Sequence, residues 1–226
     1  MIKKLGIRTD GTEVRFEQIF KQSMTTSPYF TAIEIGTAGA DTLKAMDTIT
    51  RESLTDKNWS VIGVDLPNGY SLDWNRIAQN FPKNLVLSNL HLLEDAQLPI
   101  SPALGVTSLY LIDSFRLFTY HWNTPINFAL IDGCHCCMHG KTDFLAIEPF
   151  VAPGGYVLFH DFGIPEQGTD PQCNGQGIDI RRATQELGLF ESPNKRPNWE
   201  FVEEIKGSRH WGGDGNSFGV FRKNEL

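Results

Sequence analysis

The chain has 226 residues, of which 40% are hydrophobic and 21% charged, with a net charge of −7 at pH 7 and an isoelectric point near 5.3. This composition is typical of a globular enzyme, and the length suits a single domain, residues 1–226, with a full core. The acidic balance argues against a nucleic-acid partner, because no surplus of Lys and Arg is available to neutralise phosphates.

Targeting signals are not evident in the sequence. The first residues begin like a signal peptide but become charged from Arg8 onward without an apolar segment. No stretch approaches the length of a membrane span, so we expect no membrane partner. Three of the four cysteines are crowded at Cys134, Cys136 and Cys137, which does not resemble a disulfide framework. We therefore expect a cytoplasmic protein.

The first predicted element is an amphipathic helix over Thr12–Met24, within a helical lead-in of residues 1–29. Its apolar positions recur at the spacing of one helix face. They are Val14, Phe16, Ile19 and Phe20.

A buried strand, a glycine turn and a helix follow within residues 31–42. Glu34 lies near the end of the strand, where an isolated carboxylate is costly unless a ligand or backbone donors satisfy it. Gly36 and Gly39 lack a Cβ atom, so the backbone can turn sharply there and approach a ligand closely. The alternative is a plain structural turn.

The helix after this turn is predicted to be capped by Asp41 or Thr42. Its first amide N–H groups and its positive dipole end would favour an anionic group of a ligand. The junction therefore predicts a site for a small anionic molecule.

Four further strands are predicted, and each ends in an ionisable side chain. The strands cover Trp59–Asp65, Val106–Asp113, Ile126–Asp132 and Tyr156–Asp161. Because the carboxyl ends of parallel strands meet at one edge of a sheet, these side chains are expected to line a ligand site. Asp65, at the end of the second strand, is placed to accept hydrogen bonds from two ribose hydroxyls; an ordinary turn aspartate is the alternative.

The segment Ser71–Gly105 is interrupted by prolines, and we interpret it as an insertion or a mobile lid. Within it, Asp73–Asn80 is predicted to be a helix, and Asn84–Leu93 a strand or a helix. Phe115–Trp122 is predicted to be a short helix. Phe162–Gly177 is rich in Gly, Pro and polar residues, which suits a loop covering a substrate.

The remaining elements complete an alternating α/β pattern, which favours a mostly parallel sheet covered on both faces. A helix is predicted over His135–Phe150, and Pro153–Gly155 is predicted to form a turn before the next strand. Another helix is expected over Ile178–Leu187. Two closing strands are expected over Glu200–Ile205 and Ser217–Arg222.

These motifs together resemble the class I S-adenosylmethionine-dependent methyltransferases, closest to the group of macrocin O-methyltransferase-like and cephalosporin hydroxylase-like proteins. The resemblance is carried by Glu34-Ile-Gly-Thr-Ala-Gly39, Val64-Asp65, Asp113-Ser114, Ile131-Asp-Gly-Cys-His135 with Asp143, and His160-Asp161. It implies a Rossmann-like fold with a seven-stranded, mostly parallel sheet and helices on both faces.

The same resemblance implies that S-adenosylmethionine is the cofactor. The residues that match the cofactor-binding positions of the family are Glu34, Gly36, Thr37, Ala38, Gly39, Asp65, Asp113, Ser114 and Asp132. The turn lacks the Gly-x-Gly-x-x-Gly pattern of dinucleotide-binding proteins, which disfavours a nicotinamide dehydrogenase. The acceptor implied is a hydroxyl of a small molecule such as a sugar or a natural product.

Two catalytic arrangements stay open at the sequence level. In one, His160 or His135 is the base and Asp161 or Asp132 orients it. In the other, a divalent metal such as Mg²⁺ is held by Asp132, His160 and Asp161 and acidifies the substrate hydroxyl. The histidine weakens the case for Mg²⁺ and favours a transition metal or no metal.

Other functions are also open. The chain could be a non-catalytic S-adenosylmethionine-binding module, for example a partner subunit, or another Rossmann-type enzyme that uses a nucleotide. A zinc site in Cys134–His139 is disfavoured, because neighbouring residues point apart and no second ligand pair is evident. Self-association of the chain is a further open expectation.

Overall fold

A computed structural model describes ten stretches of the chain. They are residues 12–25, 28–55, 58–66, 72–81, 85–88, 104–114, 124–163, 177–191, 195–206 and 217–225. The helix predicted over Phe115–Trp122 lies outside these stretches, and so do residues 164–176 of the predicted loop.

Helices and strands alternate along most of the chain, as the sequence predicts. The elements are α1 (Thr12–Ser23), β1 (Phe30–Ile35), α2 (Asp41–Ser53), β2 (Trp59–Asp65), α3 (Trp74–Asn80), β3 (Leu85–Ser88), β4 (Val106–Leu111), β5 (Ile126–Ile131), α4 (Cys137–Ile147), a 3-10 turn (Glu148–Phe150), β6 (Val151–His160), α5 (Ile180–Glu186), β7 (Trp199–Ile205) and β8 (Phe218–Lys223). Within the described residues, every helix is too short or too polar to span a bilayer.

The strands form one sheet in the order β3-β4-β2-β1-β5-β6-β8-β7. The first six strands of this order are parallel, and β8 is antiparallel to both β6 and β7. The expected Rossmann-like, mostly parallel organisation is confirmed. Within the described residues the sheet has eight strands, one more than the seven of the expected type, because Leu85–Ser88 pairs with β4 and extends the sheet.

Helices cover both faces of the sheet, because successive strand residues point to opposite sides. On one face, Phe16 of α1 and Leu43 of α2 pack with strand residues such as Ala32. On the other face, Phe144 of α4 packs with strand residues such as Ile33. All six residues of β1 are buried, as a strand covered from both sides requires.

Three local predictions need correction. Val14 is 58% exposed, so it does not belong to the buried face of α1. The residue before α2 is Ala40 in a left-handed conformation, and it makes no side-chain capping bond. Pro153–Gly155 does not separate two elements: it lies inside β6, where the register with β5 shifts between Ile126 and Phe128.

The segment predicted as an insertion contributes two ordered elements to the fold. Asp73 caps α3 by accepting a hydrogen bond from the Arg76 amide, as a helix N-cap should. The strand β3 joins the sheet edge. A covering role for Ser71–Gly105 stays a prediction, since most of the segment lies outside the described residues.

Candidate functional site

The glycine turn after β1 is fixed by close backbone packing. Gly36 has φ +87°, and a Cβ atom there would lie 2.3 Å from the carbonyl oxygen of Asp132. Ala38 and Ala40 also have positive φ, at 43° and 57°. Only glycine adopts this backbone readily, so the two alanines cost roughly 1–2 kcal/mol each and need compensating contacts.

Asp65 supplies contacts on the inner side of this turn. Its Oδ2 accepts hydrogen bonds from the amides of Thr37 (2.8 Å) and Ala38 (2.9 Å) and from the Thr37 hydroxyl (3.2 Å). Its Oδ1 accepts from the Leu66 amide at 2.7 Å. The carboxylate therefore holds the turn in shape, while its role as a ribose ligand stays a prediction.

Glu34 is buried at the end of β1, with 2% of its surface exposed. Among the residues that the structure describes, its Oε2 has no hydrogen-bond partner. Burial, together with the negative charges of Asp132, Asp65 and Asp41, raises the pKa of Glu34 well above its usual value. A buried carboxyl group with one unsatisfied oxygen favours a donor or a cation from a ligand.

Asp132, His135, His160 and Asp161 form a compact group at the ends of β5 and β6, which we call the His–Asp quartet. His135 Nδ1 lies 2.9 Å from Asp161 Oδ2, and His160 Nδ1 lies 2.6 Å from Asp132 Oδ1. Two longer contacts join the pairs, His135 Nε2 to Asp132 at 3.7 Å and His160 Nδ1 to Asp161 at 3.4 Å. Each imidazole is therefore oriented by a carboxylate.

The quartet also shifts the pKa values of its members. Burial lowers the pKa of His135, but hydrogen bonds to Asp132 and Asp161 outweigh it and raise the value to about 10. His160 follows the same pattern, with Asp132 raising its pKa to about 9 despite burial. Burial raises the pKa of Asp132, yet the two histidines lower it to about 2. At neutral pH the quartet is thus two ion pairs.

The backbone at Asp161 is held in an unusual conformation. Asp161 has φ 57°, a left-handed value that is uncommon for a non-glycine residue. The next ring, Phe162, is fully buried, and Arg181 lies over it at 4.5 Å. Ser217 bonds the amides of Phe162 and Gly163. These contacts fix the turn that aims the Asp161 carboxylate at His135.

Asp113 and Ser114, predicted to lie near the adenine, follow β4 and are separate from the quartet. Ser114 is hydrogen-bonded to Asp143 of α4. Asp143 is 2% exposed, and its Oδ1 has no hydrogen-bond partner within the described part of the chain. Its Oδ2 lies near Gly133, 3.4 Å from the position of a Cβ atom there.

Comparison with known proteins identifies the fold and the family. A family model described as a methyltransferase domain matches residues 33–162, more than half of the chain. The chain belongs to this methyltransferase domain family. The matched range begins in β1 and ends just after the Asp161 turn, so it contains the glycine turn and the whole quartet.

One curated relative matches a smaller part of the chain. Mycinamicin VI 2''-O-methyltransferase from Micromonospora griseorubida is 28% identical over 85 residues, which cover 33% of this chain and 21% of that protein. The chain thus matches about a fifth of the length of that relative.

Solved structures share the fold of this chain over nearly all of its residues. The O-methyltransferase from Bacillus cereus in complex with S-adenosylhomocysteine has a TM-score of 0.58 at 14% identity, covering 96% of this chain and 83% of that chain. TomG from Streptomyces achromogenes in complex with S-adenosylmethionine has a TM-score of 0.55 at 11% identity, covering 97% and 92%.

The structure also shows residues around the site that lie outside the predicted set of site residues. Arg76 and Asn80 of α3 contact the glycine turn, and Arg181 and Ser217 support the Asp161 turn. Asp143 was noted only as a match to the family pattern. No local signal marks Arg76, Asn80 or Ser217, because each acts through a contact with a distant part of the chain.

The cysteine-rich segment forms a second cluster beside α4. The ligand atoms of Cys134, Cys136 and His139 lie within 4.8 Å of one another. Cys134, however, is disulfide-bonded, contrary to the expectation from cysteine spacing. A disulfide sulfur is a poor metal ligand because the thiolate form binds metals, so the structure gives no support to zinc here.

Replacing Asp143 with Asn should make the free energy of unfolding of the protein less dependent on pH. Burial raises the pKa of Asp143 from 3.8 to about 7. Because the folded state then binds this proton more tightly than the unfolded chain, the free energy of unfolding falls as pH rises between these values, by up to about 4 kcal/mol. Urea unfolding at about pH 4.5 and about pH 8 should show Asp143→Asn gaining on the wild type at the higher pH. A constant difference would contradict this account.

Proposed function

We propose that the protein transfers a methyl group from S-adenosylmethionine to a hydroxyl of a small molecule, such as a sugar or a natural product. Membership of the methyltransferase domain family is the observation that carries the proposal. The mycinamicin relative and TomG, both named as O-methyltransferases, favour an oxygen acceptor.

The glycine turn fits the proposed cofactor. Gly36 packs against the backbone at the end of β5, where a Cβ atom would clash with Asp132, so the glycine lets the turn lie close to the carboxyl ends of the strands. The unsatisfied oxygen of Glu34 suits a ligand that carries a positive charge, and S-adenosylmethionine has both a sulfonium and an ammonium group. When bound, the cofactor supplies an activated methyl group that must lie in line with the acceptor oxygen.

The remaining predicted contacts surround this turn. Asp65 and the amides of Thr37 and Ala38 lie on one side, and Asp132 lies against Gly36 on the other. We propose that Asp113 and Ser114 face the adenine from the end of β4. Their position beyond the carboxyl ends of parallel strands is where ligands bind in such sheets.

The quartet does not fit Mg²⁺, which prefers an all-oxygen, octahedral ligand set. Imidazole nitrogens of His135 and His160 lie within 4.8 Å of the Asp132 carboxylate, a mixture that suits transition metals. Binding of such a metal by Asp132, His160 and Asp161 stays a prediction. The reaction steps proposed below use only the side chains of this protein.

We propose His135 as the general base. Its side chain is 25% exposed, against 16% for His160, so it is the more accessible imidazole. Asp161 binds Nδ1, whereas Nε2 lies 3.7 Å from Asp132 Oδ1, which is longer than a hydrogen bond and leaves Nε2 to accept a proton beside that carboxylate. His135 must be neutral to accept the hydroxyl proton, and a sulfonium bound nearby would lower its raised pKa. Asp161 then stabilises the imidazolium that forms.

Three expectations about partners and location stay predictions. The expected absence of a nucleic-acid partner follows from the net charge alone, and self-association stays a prediction. A cytoplasmic location also stays a prediction. The disulfide bond of Cys134 counts against it, because such bonds are uncommon in reducing compartments.

Calorimetry with S-adenosylhomocysteine and with NAD tests the cofactor. We expect one molecule of S-adenosylhomocysteine to bind per chain and NAD not to bind. Transfer of radiolabelled methyl groups to a panel of hydroxylated sugars and glycosides then tests the reaction. Binding of NAD alone would favour another Rossmann-type enzyme, whereas cofactor binding with no transfer across the panel would favour a non-catalytic binding module.

A further inference from the structure

The helix α3 lies against the outer side of the glycine turn. Asn80 Nδ2 donates hydrogen bonds to the carbonyl of Gly39 at 3.0 Å and to Asp41 Oδ1 at 2.9 Å. Arg76 Nε donates to Asp41 Oδ1 at 3.0 Å, and its guanidinium also pairs with the second oxygen of Asp41. The Asp73 amide donates to the carbonyl of Ala38 at 3.4 Å. Helix α3 is therefore bonded to the turn along its length.

These contacts complement those of Asp65. Asp65 holds amide groups of the turn from inside, and α3 holds carbonyl groups from outside. The alanines with positive φ, Ala38 and Ala40, resist this conformation, so the turn depends on contacts from both sides. A change in α3 should therefore alter the shape of the turn.

The packing at Gly39 follows from the same arrangement. A Cβ atom on residue 39 would lie 2.5 Å from Cδ of Arg76, whose side chain crosses the turn there. In the structure the Arg76 side chain therefore occupies the space beside Gly39.

Arg76 also neutralises the negative charge of Asp41 beside the turn. Asp41 lies in the first turn of α2, where the free amides and the helix dipole favour a negative group. An unpaired Asp41 carboxylate would repel the carboxylate of a bound cofactor. The ion pair with Arg76 offsets that charge.

We propose that α3 is a clasp on the cofactor turn, with Arg76 and Asn80 as positioning residues that set cofactor affinity. This inference rests on the proposed function, because it takes S-adenosylmethionine to bind at the turn. It gives the α3 part of the predicted insertion a defined role.

Calorimetric titration with S-adenosylhomocysteine tests the clasp in the full-length protein. We expect Arg76→Ala and Asn80→Ala each to weaken binding by about fivefold, as expected for one partly exposed ion pair or hydrogen bond. Arg76→Lys should keep most of the affinity. Arg182→Ala on α5, which removes an arginine paired with Glu186, is the matched control and should bind like the wild type.

A double-mutant cycle separates positioning from general stability. In an Asp41→Asn background, Arg76→Ala should cost much less affinity, because no carboxylate is left to neutralise. The melting temperatures of the unliganded variants should stay close to that of the wild type. If the wild type binds S-adenosylhomocysteine and both alanine variants bind it equally tightly, the clasp is overturned and the proposed function stands. Absence of binding to the wild type would overturn both.

Discussion

Gly36→Ala should reduce affinity for S-adenosylhomocysteine by at least about a hundredfold, or about 2.7 kcal/mol. The added Cβ atom would lie 2.3 Å from the Asp132 carbonyl oxygen and 2.5 Å from the Gly133 Cα, and these backbone atoms move only if the end of β5 moves. The positive φ adds strain, so the free energy of unfolding should fall by about 3 kcal/mol. Calorimetry and urea unfolding measure the two effects.

Gly154→Ala provides the matched control. Gly154 also has a left-handed φ, 76°. It lies in β6 near the start of β5, at the opposite end of the strands from the glycine turn. We expect a loss of about 1 kcal/mol in stability with unchanged affinity. If Gly36→Ala bound S-adenosylhomocysteine as tightly as the wild type, the cofactor would not lie at this turn.

Asp161→Asn should slow methyl transfer by about 10²–10³-fold while changing affinity for S-adenosylhomocysteine by less than about threefold. The substitution removes the charge that stabilises the His135 imidazolium and leaves a side chain of the same shape. Asparagine tolerates the left-handed backbone at this position, so the turn should be kept. Steady-state rates with radiolabelled cofactor and an acceptor from the sugar panel measure the change.

Two further variants make this test specific. Glu200→Gln changes a carboxylate on the edge strand β7, with 49% of its side chain exposed, and should leave the rate unchanged. The double variant His135→Ala with Asp161→Asn should be about as slow as His135→Ala alone, because residues acting as a unit are not additive. Full activity in Asp161→Asn would remove His135 and Asp161 from the proposed reaction.

The sequence predicted the buried strands well because their patterns are local. Trp59–Asp65 has the bounds of β2, and Ile126–Ile131 forms β5, each as an apolar run that ends at an acidic residue. Hydrophobic periodicity was a poorer guide at α1, because Val14 was assigned to the apolar face but is exposed. The helix boundary at Ala40 was also missed, since its left-handed backbone belongs to a turn that Asp65 and α3 hold through neighbouring residues.

Partners within the site could not be predicted from spacing. His135 and Asp161 are 26 positions apart in the chain, and they meet because β5 and β6 are neighbours and Asp161 adopts a left-handed turn. The sequence left both pairings of histidine and aspartate open. The structure pairs His135 with Asp161 and His160 with Asp132.

By itself the sequence determined the class of fold, the edge of the sheet where ionisable side chains collect and the family resemblance, because apolar runs and glycine turns reflect short-range preferences of the backbone. Only the tertiary structure decided that the sheet has an eighth strand, that α3 is bonded to the glycine turn and that two histidines are interleaved with two carboxylates. These features depend on which strands are neighbours and on how helices pack across them. Such contacts join residues far apart in the chain, and no local pattern records them.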